Sequence, residues 1–276
     1  MKDVLGDIIN SAAIGELRED EYLQDGIIRC TNCGGARETT VIHPFTGKES
    51  RVRCICPCQK EQMDKDEERL KQAERERRRK AALMRCFGAS GYDGYTFYTD
   101  DKADKENTRR MWNYAQHFER FRASGEGLLL FGDVGTGKTF LSACVANALL
   151  DKGYNVIMSS VPELIGKIQR HAFGKIDLLD ECAKCDLLIL DDLGTERGTE
   201  TAKEQLYSVV DGRYKARKPV IISTNLTADE LRNPADVMSA RIYGRLLERC
   251  LPIRVNGVDR RKHAANYDEM RSLLDS

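Results

Sequence analysis

The stretch GLLLFGDVGTGKT, residues 127–139, holds an apolar run, a glycine-rich turn and the start of a helical pattern in that order. Leu128 to Phe131 form a short continuous apolar run, suited to a strand buried on both faces. Gly132, Asp133, Val134, Gly135, Thr136, Gly137, Lys138 and Thr139 then satisfy G-x-x-x-x-G-K-T, and FLSACVANALLDKG continues as an amphipathic helix that stops at a glycine. Glycines let backbone N–H groups turn inward around phosphate oxygens. The Lys138 ammonium places charge on the β- and γ-phosphates, and the Thr139 hydroxyl offers a ligand to Mg²⁺. The helix N-terminus adds its dipole at the same point.

Four further apolar runs, NVIMSS, DLLILDD, PVIIST and LPIRVN, alternate with amphipathic segments, which predicts an α/β fold with a parallel sheet flanked by helices. LLILDDLG delivers Asp191 and Asp192 at the carboxyl end of its strand, where ligands bind in open α/β sheets. Asp191 is assigned to the Mg²⁺ shell and Asp192 to polarising an attacking water, with Glu196 close enough to share the base role. Two adjacent carboxylates buried without a cation would repel, which favours a bound metal. VIISTN is another apolar strand, ending at Asn225, which is placed to orient a water or touch the γ-phosphate.

Upstream the composition changes. Five of the 10 cysteines fall between Cys30 and Cys58, and a reducing compartment makes metal ligation a better reading than disulfides. Cys30 and Cys33 in CTNCGG form C-x-x-C followed by glycines, a turn that lets two thiolates meet one tetrahedral ion. RCICPCQK supplies Cys54, Cys56 and Cys58, one ligand too many. Short strands are predicted at TTVIHPF and SRVRCIC, and one or two modest helices within residues 1–29. From Gln59 to Arg85 strong helix formers with opposite charges at helical spacing predict a solvated helix. Cys182 and Cys185 form a second C-x-x-C, which reads as structural burial before a strand.

The 276 residues carry 44 basic and 44 acidic side chains, so no global field drives the chain onto nucleic acid and any such surface must be local. No apolar run approaches the ~20 residues that span a bilayer, and acids occupy the N-terminus where a signal peptide needs a hydrophobic run. The expectation is a cytoplasmic protein with no membrane partner.

Walker A at Gly132 to Thr139, Walker B at Asp191 and Asp192, and a first sensor at Asn225 together resemble AAA+ P-loop ATPases. GDVGTGKT, LLILDDLGTE, STN and SARIYGRLLE resemble, more narrowly, the DnaC/DnaI family of bacterial replicative-helicase loaders in the IstB-like superfamily, over about residues 90–265. The resemblance implies an arginine finger at Arg245, with Arg241 one helical turn before it. It places the second sensor in GVDRRKH, where register favours Arg261 over Arg260. It implies that PELIGKIQRHAFGKIDLLDECAK faces single-stranded DNA, with Lys167, Arg170, His171 and Lys175 as basic members. In some loaders C-x-x-C is followed by C-x-C-Q in a zinc-binding region, which favours Cys30, Cys33, Cys56 and Cys58 here, with Cys54 and His43 as alternates.

The implied organisation is a partner-binding region with a zinc knuckle over 1–58, a charged connecting helix over 59–86 and an AAA+ ATPase domain over 87–276. The implied function is ATP- and Mg²⁺-dependent loading of a replicative helicase onto single-stranded DNA by a homo-oligomer whose hydrolysis rises with assembly. A transposition-helper ATPase and a nucleotide-gated binding module with little turnover are the rival readings.

Overall fold

The structure, a computed structural model, describes residues 16–88, 90–170, 175–195, 199–257, 259 and 267–275. It divides into two compact units, Met1–Arg77 and Arg78–Ser276.

In the first unit, β1 (Glu21–Gln24) and β2 (Ile27–Cys30) form an antiparallel hairpin. Asp25 and Gly26 close it with φ of 51° and 71°, the consecutive positive values of a two-residue hairpin turn. This corrects the helical expectation for the described residues before Cys30: a D-G turn between two short strands decides the local geometry against a weak helical spacing. A second hairpin pairs β3 (Glu38–Ile42) with β4 (Glu49–Arg53). Helix α1 (Pro57–Phe87) begins on a proline, where no N–H would be bonded within the helix anyway. It carries exposed i,i+4 ion pairs such as Lys65 with Glu61 at 2.6 Å, each worth little by itself.

In the second unit, α2 (Lys105–Gln116) and α3 (Phe118–Ser124) precede β5 (Gly127–Phe131), which leads into α4 (Lys138–Asp151). There follow β6 (Val156–Ser160), α5 (Val161–Arg170), α6 (Lys175–Lys184) and β7 (Leu187–Leu193). The chain continues through α7 (Glu200–Ala216), β8 (Val220–Thr224), α8 (Ala228–Arg232) and α9 (Val237–Arg249). Strand β9 (Cys250–Arg254) and helix α10 (Tyr267–Leu274) complete it.

The sheet is parallel throughout, in the order β6-β7-β8-β5-β9. Successive side chains of a strand face opposite ways, so each apolar run feeds two cores. Leu128, Leu130, Leu187, Ile189 and Ile221 pack with Met111, Leu141, Val145 and Leu149 on one face. Leu129, Leu188, Leu190 and Ile222 pack with Val161, Leu164, Leu206 and Ile242 on the other. Strand β8 lies between β5 and β7, which puts its carboxyl end between the glycine-rich turn and the aspartate pair.

Candidate active site and metal centre

The turn after β5 is shaped by three glycines with positive φ: Gly132 at 145°, Gly135 at 79° and Gly137 at 99°. At Gly132 the restriction is also steric, because a Cβ there would press into the Val255 carbonyl. The Lys138 side chain is buried and folds back, its Nζ donating to the Gly132 and Asp133 carbonyls at 2.8 and 2.6 Å. Those bonds hold the loop in a curved form that phosphate oxygens can enter.

Across the cavity, Thr139 Oγ1 donates to Asp191 Oδ2 at 2.8 Å, and Ser223 Oγ donates to Asp191 Oδ1. Asp191 is 4% exposed, and burial pushes its carboxyl above the usual range while the two hydroxyl bonds pull it back. A hydroxyl beside carboxylate oxygens is a hard donor set, and it fits Mg²⁺. Asp192 is half-buried and Asn225 exposed, and both line the same cavity of about 520 Å³ as Gly135, Gly137, Lys138 and Thr139.

The far wall of that cavity was not anticipated. Tyr92, Tyr95 and Phe140 pack in a row, with ring centroids 5.3 and 5.2 Å apart. Asn147 Nδ2 donates to the Tyr92 and Tyr95 carbonyls at 2.9 Å each, fixing the turn to α4. The clustered aromatics of GYDGYTFY were a usable signal.

Arg245 on α9 pairs with Asp211 Oδ1 on α7 at 2.8 Å. Its guanidinium lies 4.7 Å from the Tyr207 ring centroid and 5.5 Å from that of Tyr214. Lys215 and Arg245 together hold the Asp211 carboxyl below its usual range. Arg245 also lines a small pocket with Gly125 and Val220, at the amino ends of β5 and β8, whereas the phosphate turn is at the carboxyl end of β5. It is therefore not part of this chain's own phosphate site. Arg241, one turn earlier, is exposed.

On α5, Lys167 pairs with Glu163 at 2.8 Å and Arg170 Nε donates to the Gly166 carbonyl at 3.1 Å, while Val161, Leu164, Ile165 and Ile168 are buried. Lys175 opens α6, and its side chain lies outside the described residues, as do His171, Glu196, Arg260 and Arg261. Cys182 and Cys185 are buried, and burial pushes the Cys182 thiol up to about 12. Beside them Arg213, 1% exposed, donates to the carbonyls of Cys182, Ala183, Cys185, Asp186 and Pro219. Sequence reasoning missed it because DGRYKARK looks like solvated charge.

In the first unit the sulfurs of Cys30, Cys33, Cys56 and Cys58 all lie within 4.8 Å of one another. Cys58 is 3.7 Å from Cys30 and 3.4 Å from Cys56. A tetrahedral ion with ~2.3 Å Zn–S bonds requires sulfurs roughly 3.8 Å apart, so the four thiols fit zinc. Cys54 and His43 lie elsewhere: Cys54 Sγ faces the Ala36 carbonyl at 3.7 Å, and His43 Nδ1 accepts from the Phe45 N–H at 3.4 Å. Arg37, also missed in the sequence, is buried and donates to Cys30 Sγ at 3.3 Å, which holds that thiol down at about 6. No described helix is long and apolar enough to cross a membrane.

Similarity to known proteins follows the same lines. The family described as IstB-like ATP binding protein matches residues 59–267. The replicative helicase loader DnaI of Bacillus subtilis (strain 168) is 28% identical over 182 residues, covering 61% of this chain and 58% of that protein. The replicative helicase loader DnaC of Escherichia coli (strain K12) is 26% identical over 120 residues, 42% of this chain and 49% of that protein. A crystal structure of DnaI superposes with a TM-score of 0.50 at 26% identity, over 61% of this chain and 92% of that one. The chain thus spans about half to three-fifths of the length of the curated relatives it matches.

Proposed function

This chain belongs to the IstB-like ATP-binding family, and on that premise we propose that it is an ATP-hydrolysing loader that places a replicative DNA helicase on single-stranded DNA. The observation that carries the reading is one chain holding both a phosphate cavity with paired carboxylates and a four-thiol knuckle. The cavity supplies turnover. The knuckle leaves no open position on a tetrahedral ion, so it suits recognition of a partner better than catalysis.

In this reading the turn from Gly132 to Gly137 and Lys138 bind the β- and γ-phosphates of ATP, and Thr139 and Asp191 hold Mg²⁺. Mg²⁺ held there would neutralise charge on the phosphate oxygens. Asp192, with Glu196, polarises the attacking water and Asn225 orients it. Arg245 acts on the nucleotide of a neighbouring copy, with Arg241 as the alternative. Its place at the amino ends of the strands supports action in trans, since it sits away from this chain's own phosphates. Arg261 serves as second sensor. Lys167, Arg170, His171 and Lys175 track the DNA backbone, the region 1–58 with its zinc knuckle grips the helicase, 59–86 connects, and 87–276 is the ATPase domain.

The test is a loading assay with the replicative helicase of the same host, single-stranded DNA and ATP. More helicase on DNA when the chain is added supports the proposal. Unchanged loading contradicts the partner assignment. Recovery of a transposase instead of a helicase from host lysate favours a transposition helper, and nucleotide binding without measurable turnover favours a gated binding module.

A further inference from the structure

The pairing of β7 with β8 breaks at the active site. Leu190 pairs with Ile222 and Leu193 with Thr224, so Asp191 and Asp192 together stand opposite Ser223 alone. Two residues against one make a β-bulge, a device that bends a strand and re-aims a side chain. In an unbroken strand the two carboxylates would point to opposite faces of the sheet. Here Asp192 takes φ of 59°, in the left-handed region that residues other than glycine seldom adopt. Both aspartates line the cavity as a result.

Ser223 is fully buried, and one hydroxyl engages both bulged residues. Its Oγ donates to Asp191 Oδ1 and accepts from the Asp192 N–H at 3.1 Å. The other side of Asp192 is held by Thr195, whose Oγ1 donates to the Asp192 carbonyl at 2.6 Å. A serine that merely filled space between strands would have no need to meet a carboxylate and an amide at once.

We propose that Ser223 is a positioning residue for ATP hydrolysis: it pins the bulge, which keeps the left-handed Asp192 aimed into the cavity and leaves the second Asp191 oxygen beside Thr139. The inference rests on the hydrolytic reading of this site. Removing the hydroxyl leaves the Asp192 N–H without its acceptor and lets the bulge relax, so the carboxylates lose register while the phosphate turn, built on another strand, is untouched.

The experiment compares wild type with Ser223→Ala and Ser223→Thr, measuring kcat, KM for ATP, binding of a fluorescent ATP analogue with and without Mg²⁺, and thermal unfolding. The alanine variant is expected to lose about 10- to 100-fold in kcat, as a small misplacement of a catalytic group does, while Mg²⁺-free nucleotide affinity changes by less than about 3-fold. The gain in affinity that Mg²⁺ gives wild type should shrink in the alanine variant and return in the threonine variant, together with most of kcat. Wild-type kcat and an unchanged Mg²⁺ effect in Ser223→Ala would overturn the proposal. So would a parallel loss of Mg²⁺-free binding and thermal stability that threonine does not restore. If wild type itself binds ATP without hydrolysing it, the hydrolytic reading fails, and the Mg²⁺ effect on affinity still decides whether Ser223 orders the carboxylates.

Discussion

The two units of the chain hold their functional groups in place by different physical means. Among the described apolar side chains of the first unit only Ile28, Cys30 and Cys56 are buried, and they share the interior with Glu21, Arg37 and Glu38. The second unit sandwiches a five-stranded sheet between two continuous apolar layers. Its catalytic candidates sit at strand ends fixed by packing before any ligand arrives. In the first unit the thiols themselves occupy the centre, and with so little apolar burial among its described residues a metal held there would supply much of the folding energy.

The sharpest way to break this contrast is to strip the metal. Chelation at neutral pH is expected to unfold the two hairpins, a loss on the order of 10 kcal/mol of binding energy, while fluorescent ATP analogue still binds the second unit. Limited proteolysis reads it: new cuts before Cys58 and an intact ATPase fragment. Unchanged protease resistance after complete zinc removal would show that the first unit has a sufficient core of its own.

The second unit should fail instead through its own buried polar anchor. Arg213→Met orphans carbonyls at the end of α6 and before β7 and β8, and should destabilise the second unit by roughly 3 kcal/mol or more. Chemical denaturation measures this, and a change no larger than that of an exposed arginine such as Arg241 would contradict the assigned role. In the first unit Arg37→Leu should weaken zinc about 10- to 100-fold, the usual cost of losing a group that supports a metal ligand. Competition with a chromophoric chelator reads the affinity, and ATP turnover serves as the unaffected control.

The smallest effect has the opposite sign. Burial raises the Asp191 carboxyl above the usual range, so its charged form is disfavoured in the fold. Stability from the protonated form is fully present below its unfolded value near pH 4 and is lost as pH rises through the folded value. Asp191→Asn imitates the protonated form, so without Mg²⁺ it should raise the unfolding temperature at pH 7 and lose that advantage near pH 4. A lower unfolding temperature at pH 7 would mean the carboxylate is a net stabiliser and the pocket is not strained by charge.

The same contrast governs what was legible in the sequence. The phosphate turn, the five apolar strands and the aspartate pair are local patterns, with their chemistry carried by spacing along the chain. The C-x-x-C and C-x-C pairs are local too, and only their convergence required the fold. The roles of Ser223, Arg213 and Arg37 were hidden because each depends on partners brought together by tertiary pairing: Ser223 meets residues 31 and 32 positions away, and Arg213 meets carbonyls up to 31 positions away. The hairpin at Asp25 and Gly26 was within reach, since two adjacent turn residues between short strands outweigh a weak helical spacing.

Whether assembly completes the ATPase is read from steady-state ATP hydrolysis by wild type and Arg245→Ala across a protein titration with and without single-stranded DNA. Wild-type activity per subunit is expected to climb with concentration, while the variant still binds ATP and its activity stays low and flat. Activity per subunit that stays flat with concentration in wild type would contradict completion by assembly, whereas equal activities that climb together would leave Arg245 to its contacts with Asp211, Tyr207 and Tyr214 and move the finger to Arg241.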